Sequence, residues 1–419
     1  VRSLGGDTSA WSGRQRLLVG AGVVLIASTT ANRIRLPLPG GDNHLLLEHV
    51  VVIAVAALIV VSGRARAALA ACRQRPATLL FAFIAWASII SVLRSPDVAA
   101  SLEIAVWLAF DLVILVAILA IFQEPMELER VGILAAAGAA AVALLAWSSN
   151  AVLDTDWGVR TGDVYGGAAA YGLSFEPNIL ASLLATWLFV VLSRRQWVQS
   201  RLMIGAAVVM AAVIPLTQTR GAIVAVVLGL VVLLPGAAPA ARKVILRGAV
   251  VTAVACIALV VAAPSTIDPL VNKFKTTTDV AEGSGAYRLD SWKLALSDLD
   301  DPQDWMFGLG LNSFGQRDSL RAPADREVPD YLANLPLAVL YDAGVVGVAI
   351  LTLLLLSVFP RNRWRGWGLL AVFMTCAVLT SPLWFGSTWV LVALGALARR
   401  RSSTSPDVIV VEDSHASRG

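Results

Sequence analysis

Residues 99–122 read AASLEIAVWLAFDLVILVAILAIF, with Glu103 and Asp111 their only charged side chains. A helix of roughly 20 apolar residues crosses a bilayer, so this run predicts a membrane span rather than the core helix of a soluble domain. Laid along the rest of the chain, the same ruler marks about twelve spans: 15–32, 45–62, 77–93, 99–122, 131–152, 177–193, 201–217, 221–236, 246–263, 335–358, 366–381 and 383–398. The run 221–236 is the weakest of them, because only Gln218 to Arg220 separate it from its predecessor. The fold class that follows is an all-α integral membrane protein.

Composition agrees. Of 419 residues, 57% are hydrophobic and 15% charged, with mean hydropathy +0.74; soluble domains carry about 25% charged residues. The formal charge of +4 is spread over short loops, which points to topology and not to nucleic acid. The first apolar stretch lacks a small-residue cleavage site and more spans follow it, unlike a secretory signal. Cys72, Cys256 and Cys376 have no metal-type spacing and read as small hydrophobes.

Arginine placement predicts the orientation. Arg14 and Arg16 precede the first span, and the even-numbered loops carry Arg64, Arg66, Arg73 and Arg75; then Arg194, Arg195 and Arg201; then Arg242, Lys243 and Arg247; then Arg361, Arg363 and Arg365. Arg399 to Arg401 follow the last span. The exception is 123–130, where Glu124, Glu127 and Glu129 outnumber Arg130, but acidic residues count little in this rule. Both termini are therefore expected in the cytoplasm of a multi-pass plasma-membrane protein. The expected division is an N-terminus over 1–14, nine helices over 15–263, a long outward loop with short helices over 264–334, three helices over 335–398, and a polar tail over 399–419.

Three outward loops draw interest: 153–176, the turn Gln218–Arg220, and 264–334. Arg220 lies in Thr217-Gln218-Thr219-Arg220-Gly221, on the side where arginine is unfavoured. It reads either as an interfacial arginine reaching lipid phosphates or as a fixed phosphate ligand beside a helix N-terminus that favours anions. In Tyr287-Arg288-Leu289-Asp290-Ser291-Trp292-Lys293, Arg288 and Trp292 are one helical turn apart. That pattern fits a site and equally a surface helix anchored by its tryptophan. Each charge pair at about 4 Å contributes roughly 4 kcal/mol at an effective dielectric near 20, so two arginines can hold a diphosphate without a metal.

Asp298, Asp300, Asp301 and Asp304, interrupted by Pro302, read as a solvated turn rather than a metal site. Trp305, Met306 and Phe307 then rest on the interface. Asp111 and Asp342 lie inside apolar spans, where a carboxylate is paired or functional. His44, Glu48 and His49 are not spaced as a zinc pair with a base and read as interfacial. Glu176-Pro177-Asn178 opens a span, with proline suited to the first turn; Glu176 and Asn178 are cap residues or site members.

Together these pieces resemble the O-antigen ligase and O-antigen polymerase superfamily of bacterial membrane proteins. The resemblance rests on Thr219-Arg220-Gly221, on Arg288 with Trp292, on the Gly308-x-Gly310 step, and on the register Asn334, Leu337, Gly344 and Gly347, with Glu176-Pro177-Asn178 opening an earlier span. It covers residues 80–395. It implies a GT-C-like glycosyltransferase that moves a glycan from a polyprenyl-diphosphate donor to a glycan or glycolipid acceptor outside the inner membrane. No cofactor, metal or nucleic acid is called for. Arg220 and Arg288 carry over as diphosphate ligands, steadying charge on the leaving group. Glu176, Asn178, Tyr287, Trp292, Gly310, Ala333 and Asn334 carry over as substrate contacts.

One departure stands out: the family's histidine falls on Ala333, which neither accepts a proton nor donates a hydrogen bond. Three explanations compete. The chain uses Asp330, Glu327 or Asp290 as base; it is an engineered inactive variant; or it binds the lipid-linked donor without this chemistry. Ligation and repeat-unit polymerisation are not separable by sequence. A lipid-linked saccharide transporter or flippase predicts a charged path and a pseudo-repeat; few of the former residues and no repeat are seen. A non-catalytic envelope assembly protein is the third class, for which Ala333 is the best argument.

Overall fold

The computed structural model describes residues 13–37, 44–161, 168–236, 242–243, 246–247, 250, 283–316, 332–359 and 364–404. In chain order these form α1 (Gly13–Ser28), β1 (Arg35–Pro37), β2 (His44–Leu46), α2 (Leu47–Val61), α3 (Ala65–Cys72), α4 (Arg75–Arg94), α5 (Val98–Ile121) and α6 (Pro125–Leu153). There follow β3 (Val159–Arg160), β4 (Ala169–Ala170), α7 (Pro177–Leu192), α8 (Arg195–Val198), α9 (Arg201–Leu216) and α10 (Arg220–Leu233). The last group is α11 (Gly283–Asp298), α12 (Pro302–Phe307), α13 (Leu335–Val358), α14 (Trp364–Leu379) and α15 (Gly386–Thr404). Only two short antiparallel strand pairs, β1–β2 and β3–β4, interrupt the helices among the described residues.

Sequence signals set many helix starts. Proline occupies the first turn of α4, α6, α7, α12 and α13, where its missing N–H leaves no bond unmade. Asp97, Asp301 and Asn334 cap α5, α12 and α13 by accepting from Ala100, Gln303 and Leu337 amides, satisfying donors that the helix itself leaves open.

Four helices, α4, α5, α6 and α13, are long and apolar enough to cross a membrane, or five if the pair α2 and α3, bent by 119°, counts as one broken span. α7, α9, α10 and α14 are apolar but shorter. A helix of 16 residues such as α7 reaches about 24 Å at 1.5 Å per residue, below the roughly 30 Å of a hydrocarbon core. Helices thus occupy most positions of the expected spans, but among the described residues fewer than twelve meet the standard for a crossing. The expected span 246–263 falls almost wholly outside the described residues. α15 runs on to Thr404, past the expected helix end at 398. Of the cysteines, Cys376 is buried and Cys72 exposed; Cys256 lies outside the described residues.

The helices close around one continuous apolar core. Its tightest seam joins α10 to α14, where a Cβ on Gly229 would come within 3.1 Å of the Gly368 carbonyl oxygen, and one on Gly368 within 2.8 Å of the Gly229 carbonyl oxygen. Small residues here allow backbones to approach closely, as in membrane helix pairs generally.

α13 is broken at Gly344, whose φ of 66° and ψ of −170° depart from a helix. The break frees carbonyls that lipid cannot satisfy. Loop residues take them: the Leu309 amide donates to the Tyr341 carbonyl at 2.8 Å, and the Gly310 amide to the Asp342 carbonyl at 3.0 Å. The Asp342 carboxylate accepts from the backbone amides of Asn312 and Ser313, so this intramembrane acid holds the loop. The contact is backbone against backbone: a Cβ on Gly308 would lie 2.5 Å from the Ala343 nitrogen, and one on Gly344 would lie 2.3 Å from the Met306 carbonyl oxygen.

Hydrogen bonds sort the loops onto two ends. At one end, Ser91 and Ser101 of α4 and α5 hold the Leu311 amide and carbonyl at 2.9 and 2.6 Å, Arg94 pairs with Asp304, and the Asn32 side chain accepts from the Phe175 amide at 2.6 Å. At the other, Glu129 accepts from Arg194 Nη2 and Arg365 Nη2 at 2.8 Å each and from the Trp197 indole at 2.9 Å. Glu129 thus explains why one loop of the basic end is acidic: its carboxylate is shared by arginines from two other loops.

Two outcomes follow for stability. Gly308→Ala or Gly344→Ala should each lower thermal stability of the detergent-solubilised protein by about 2 kcal/mol or more, because each adds a clash to a positive-φ cost; an unchanged melting temperature would refute the backbone lock. Glu129→Ala should cost about 3 kcal/mol or more in the same melt, the scale for breaking a buried ion pair; an unchanged melting temperature would refute the shared carboxylate.

Candidate functional site

The turn between α9 and α10 brings one group of residues together. Pro215 sits in the last turn of α9, the Thr217 hydroxyl returns to the Ile214 carbonyl at 2.6 Å, and Gln218 takes a left-handed φ of 54°. The chain then reverses, so that Thr219 precedes α10 and Arg220 opens it. Thr219 makes no side-chain cap; its hydroxyl instead donates to the Asn178 side-chain oxygen at 3.1 Å. The first amides of α10 consequently have no hydroxyl capping them, the arrangement that suits an anion. Arg220 is half-buried, and Gly221 lets α10 pack against Leu379, which a Cβ would meet at 2.0 Å. Glu176, Pro177 and Asn178, at the start of α7, belong to this corner.

The second group is built on α11. Arg288, Trp292, Ala295 and Leu299 recur with helical spacing on its less exposed side. Trp292, Ala295 and Leu299 join a small cluster with Leu309, Phe314, Leu332, Ala338 and Tyr341. Asp290 points the other way, largely exposed and 3.9 Å from Lys293. Asn334 spends its side-chain oxygen on the Leu337 amide at 3.0 Å, and Gly310, with φ of 102°, lies against Ser91 and Ser95. Their observed contacts are therefore structural. Ala333 is half-buried between Leu332 and Asn334. The Tyr287 side chain, Glu327 and Asp330 lie outside the described residues.

The aspartate cluster is taken up by the fold. Asp298 accepts from the Tyr341 hydroxyl, Asp301 caps α12, and Asp304 pairs with Arg94. Trp305, Met306 and Phe307 are exposed. Among the described residues, the groups acting on Asp111 are Glu48 and the Trp389 indole. Glu48 and His49 are buried, not interfacial, at 1% and 3% exposure. α2 begins at Leu47, two residues into the expected span 45–62, and its first turn packs into the bundle with His49 stacked on Phe110 at 4.4 Å.

A third feature was not singled out from sequence. A cavity of about 800 Å³ is lined by Arg33, Arg35, Arg160, Thr161, Tyr171, Phe175, Glu176 and Val159, with Pro177 at its edge. Arg33 lies over the Tyr171 ring at 4.5 Å and Arg35 over Phe175 at 5.5 Å. The available signal was the one used for Arg220: arginines in loops 33–46 and 153–176, on the side where the topology rule disfavours them.

The helical bundle, with its glycine-locked loop and arginine-bearing end, defines an all-helical, membrane-integral protein. Residues 205–352 match the family model described as O-Antigen ligase. The resemblance to the O-antigen ligase and polymerase superfamily holds over that segment. No curated protein matches the chain.

Removing the Thr219–Asn178 bond tests whether it sets the position of Arg220. Asn178→Ala should lower the unfolding free energy by no more than about 1 kcal/mol, the worth of one hydrogen bond. Asn334→Ala should also cost about 1 kcal/mol, through loss of the α13 cap. A loss several times larger for Asn178→Ala would mark that residue as a fold determinant rather than a positioning contact.

Proposed function

We propose that the chain is a membrane glycosyltransferase that moves a glycan from a polyprenyl-diphosphate donor to an acceptor hydroxyl on the outer face of the plasma membrane. The observation that carries this reading is the extent of the family match: residues 205–352 include Arg220, Arg288, Trp292, Gly308, Gly310, Asn334 and Gly344. Further support comes from Arg220 opening a helix whose first turn has no side-chain cap, and from Asn178 at its shoulder.

In this reading Arg220 and Arg288 bind the diphosphate. The acceptor oxygen bonds to the anomeric carbon as the carbon–oxygen bond to the diphosphate breaks, and the electron pair leaves on the phosphate oxygen. Charge grows there in the transition state, so guanidinium groups already in place lower the barrier. Neither a metal nor a nucleotide sugar is required by this scheme. The acceptor's proton passes to a carboxylate, with Glu327, Asp330 and Asp290 the candidates, because Ala333 cannot take it. An acceptor that is itself a repeat unit makes the same chemistry a polymerisation.

Transfer by the purified protein from a polyprenyl-diphosphate glycan tests this. Arg220→Ala and Arg288→Ala should each lower the rate by about a hundredfold or more, the usual effect of losing one charge-stabilising donor. Equal rates for Arg288→Ala and the parent would remove the diphosphate role. Transfer by Ala333→His together with none by the parent would show a disabled enzyme.

A further inference from the structure

The cavity beside Glu176 is built by loops that sequence separates widely. The Arg33 amide donates to the Leu173 carbonyl at 3.0 Å, and Arg33 also donates to the Tyr171 hydroxyl. The strand pairs place Arg35 opposite Leu46 and Arg160 opposite Ala169, so the two arginines sit on paired backbone rather than on free loop. The lining contains three guanidinium groups and one carboxylate, Glu176. Three guanidinium groups against one carboxylate leave the lining with a net positive charge, which attracts an anion. At about 800 Å³ the space suits a small organic ligand and far exceeds a single ion. Arg35 rests on the Phe175 face, which holds its guanidinium plane in place to meet a planar or tetrahedral oxyanion.

We infer that this cavity binds the phosphate of a phosphorylated saccharide, with Arg35 and Arg160 as its ligands. The position beside the Arg220 corner makes that saccharide the acceptor, a role that rests on the transferase reading above; the binding itself does not. Glu176 and Pro177 line the cavity, and the next residue, Asn178, bonds Thr219. The cavity wall and the Arg220 corner are thus joined through three consecutive residues at the start of α7.

Calorimetry on the full chain in phosphatidylcholine nanodiscs, with a phosphorylated trisaccharide and its phosphatase-treated form, tests this. The phosphorylated sugar should bind saturably and the neutral one at least about tenfold more weakly, the scale of one charge-assisted bond. The double variant Arg35→Ala/Arg160→Ala should lose about tenfold, and Arg35→Lys/Arg160→Lys, which keeps the charge, should recover part of it. Arg220→Ala should retain the binding, so a failed transfer assay leaves this inference standing. Equal binding of the two sugars, or no loss in the alanine double variant, overturns it. If phosphatidylglycerol discs abolish sugar binding by the parent, the cavity holds a lipid phosphate and the saccharide assignment falls.

Discussion

The break in α13 at Gly344 is the constraint on which the packing at that end of the bundle depends. A helix interrupted within an apolar bundle exposes carbonyls that only protein can satisfy. The step Gly308-Leu309-Gly310 supplies amides to Tyr341 and Asp342, and the Asp342 carboxylate holds the following turn. Once that turn is placed, Leu311 reaches Ser91 and Ser101, and Phe314 meets Tyr341 edge-on at 5.5 Å. The surface on which α11 rests is completed in the same way. The loop is thus a part of the bundle's packing and not an appendage to it.

The two ends of the bundle treat positive charge differently. At the Glu129 end, Arg194 and Arg365 converge on one buried carboxylate, and their charge is consumed in holding helices together. At the other end, arginines of the first and fifth loops line a cavity with Glu176 as its single acid. A guanidinium on an aromatic face keeps its charge, since the ring offers a quadrupole and not a counter-ion. The arginines that share Glu129 and those that line the cavity therefore lie at opposite ends of the bundle.

What could be read from sequence was local. Helix positions follow from apolar runs, and starts follow from Pro177, Pro302, Asp97 and Asn334, because a cap acts within one turn. The corner at Arg220 was legible because an arginine on the disfavoured side stands out in a short turn. The cavity was not, since Arg33 and Tyr171 meet across 138 positions and no local pattern encodes that meeting. Glu48 beside Asp111 was missed for the same reason. Glu129 was passed over because topology counting ignores acids, whereas packing does not. Asn334 and Gly310 carried the family resemblance as substrate contacts, yet their observed contacts are a cap and a close backbone approach.

The lock between Gly308 and Gly344 is made from main-chain atoms, and so it is indifferent to the side chains that do chemistry nearby. The residue at 333 supplies none of the main-chain bonds of the lock, which run from Leu309 and Gly310 to Tyr341 and Asp342. Glycines at these positions identify a shape. A search for relatives by those glycines alone would gather chains of one shape, whatever chemistry their other residues perform.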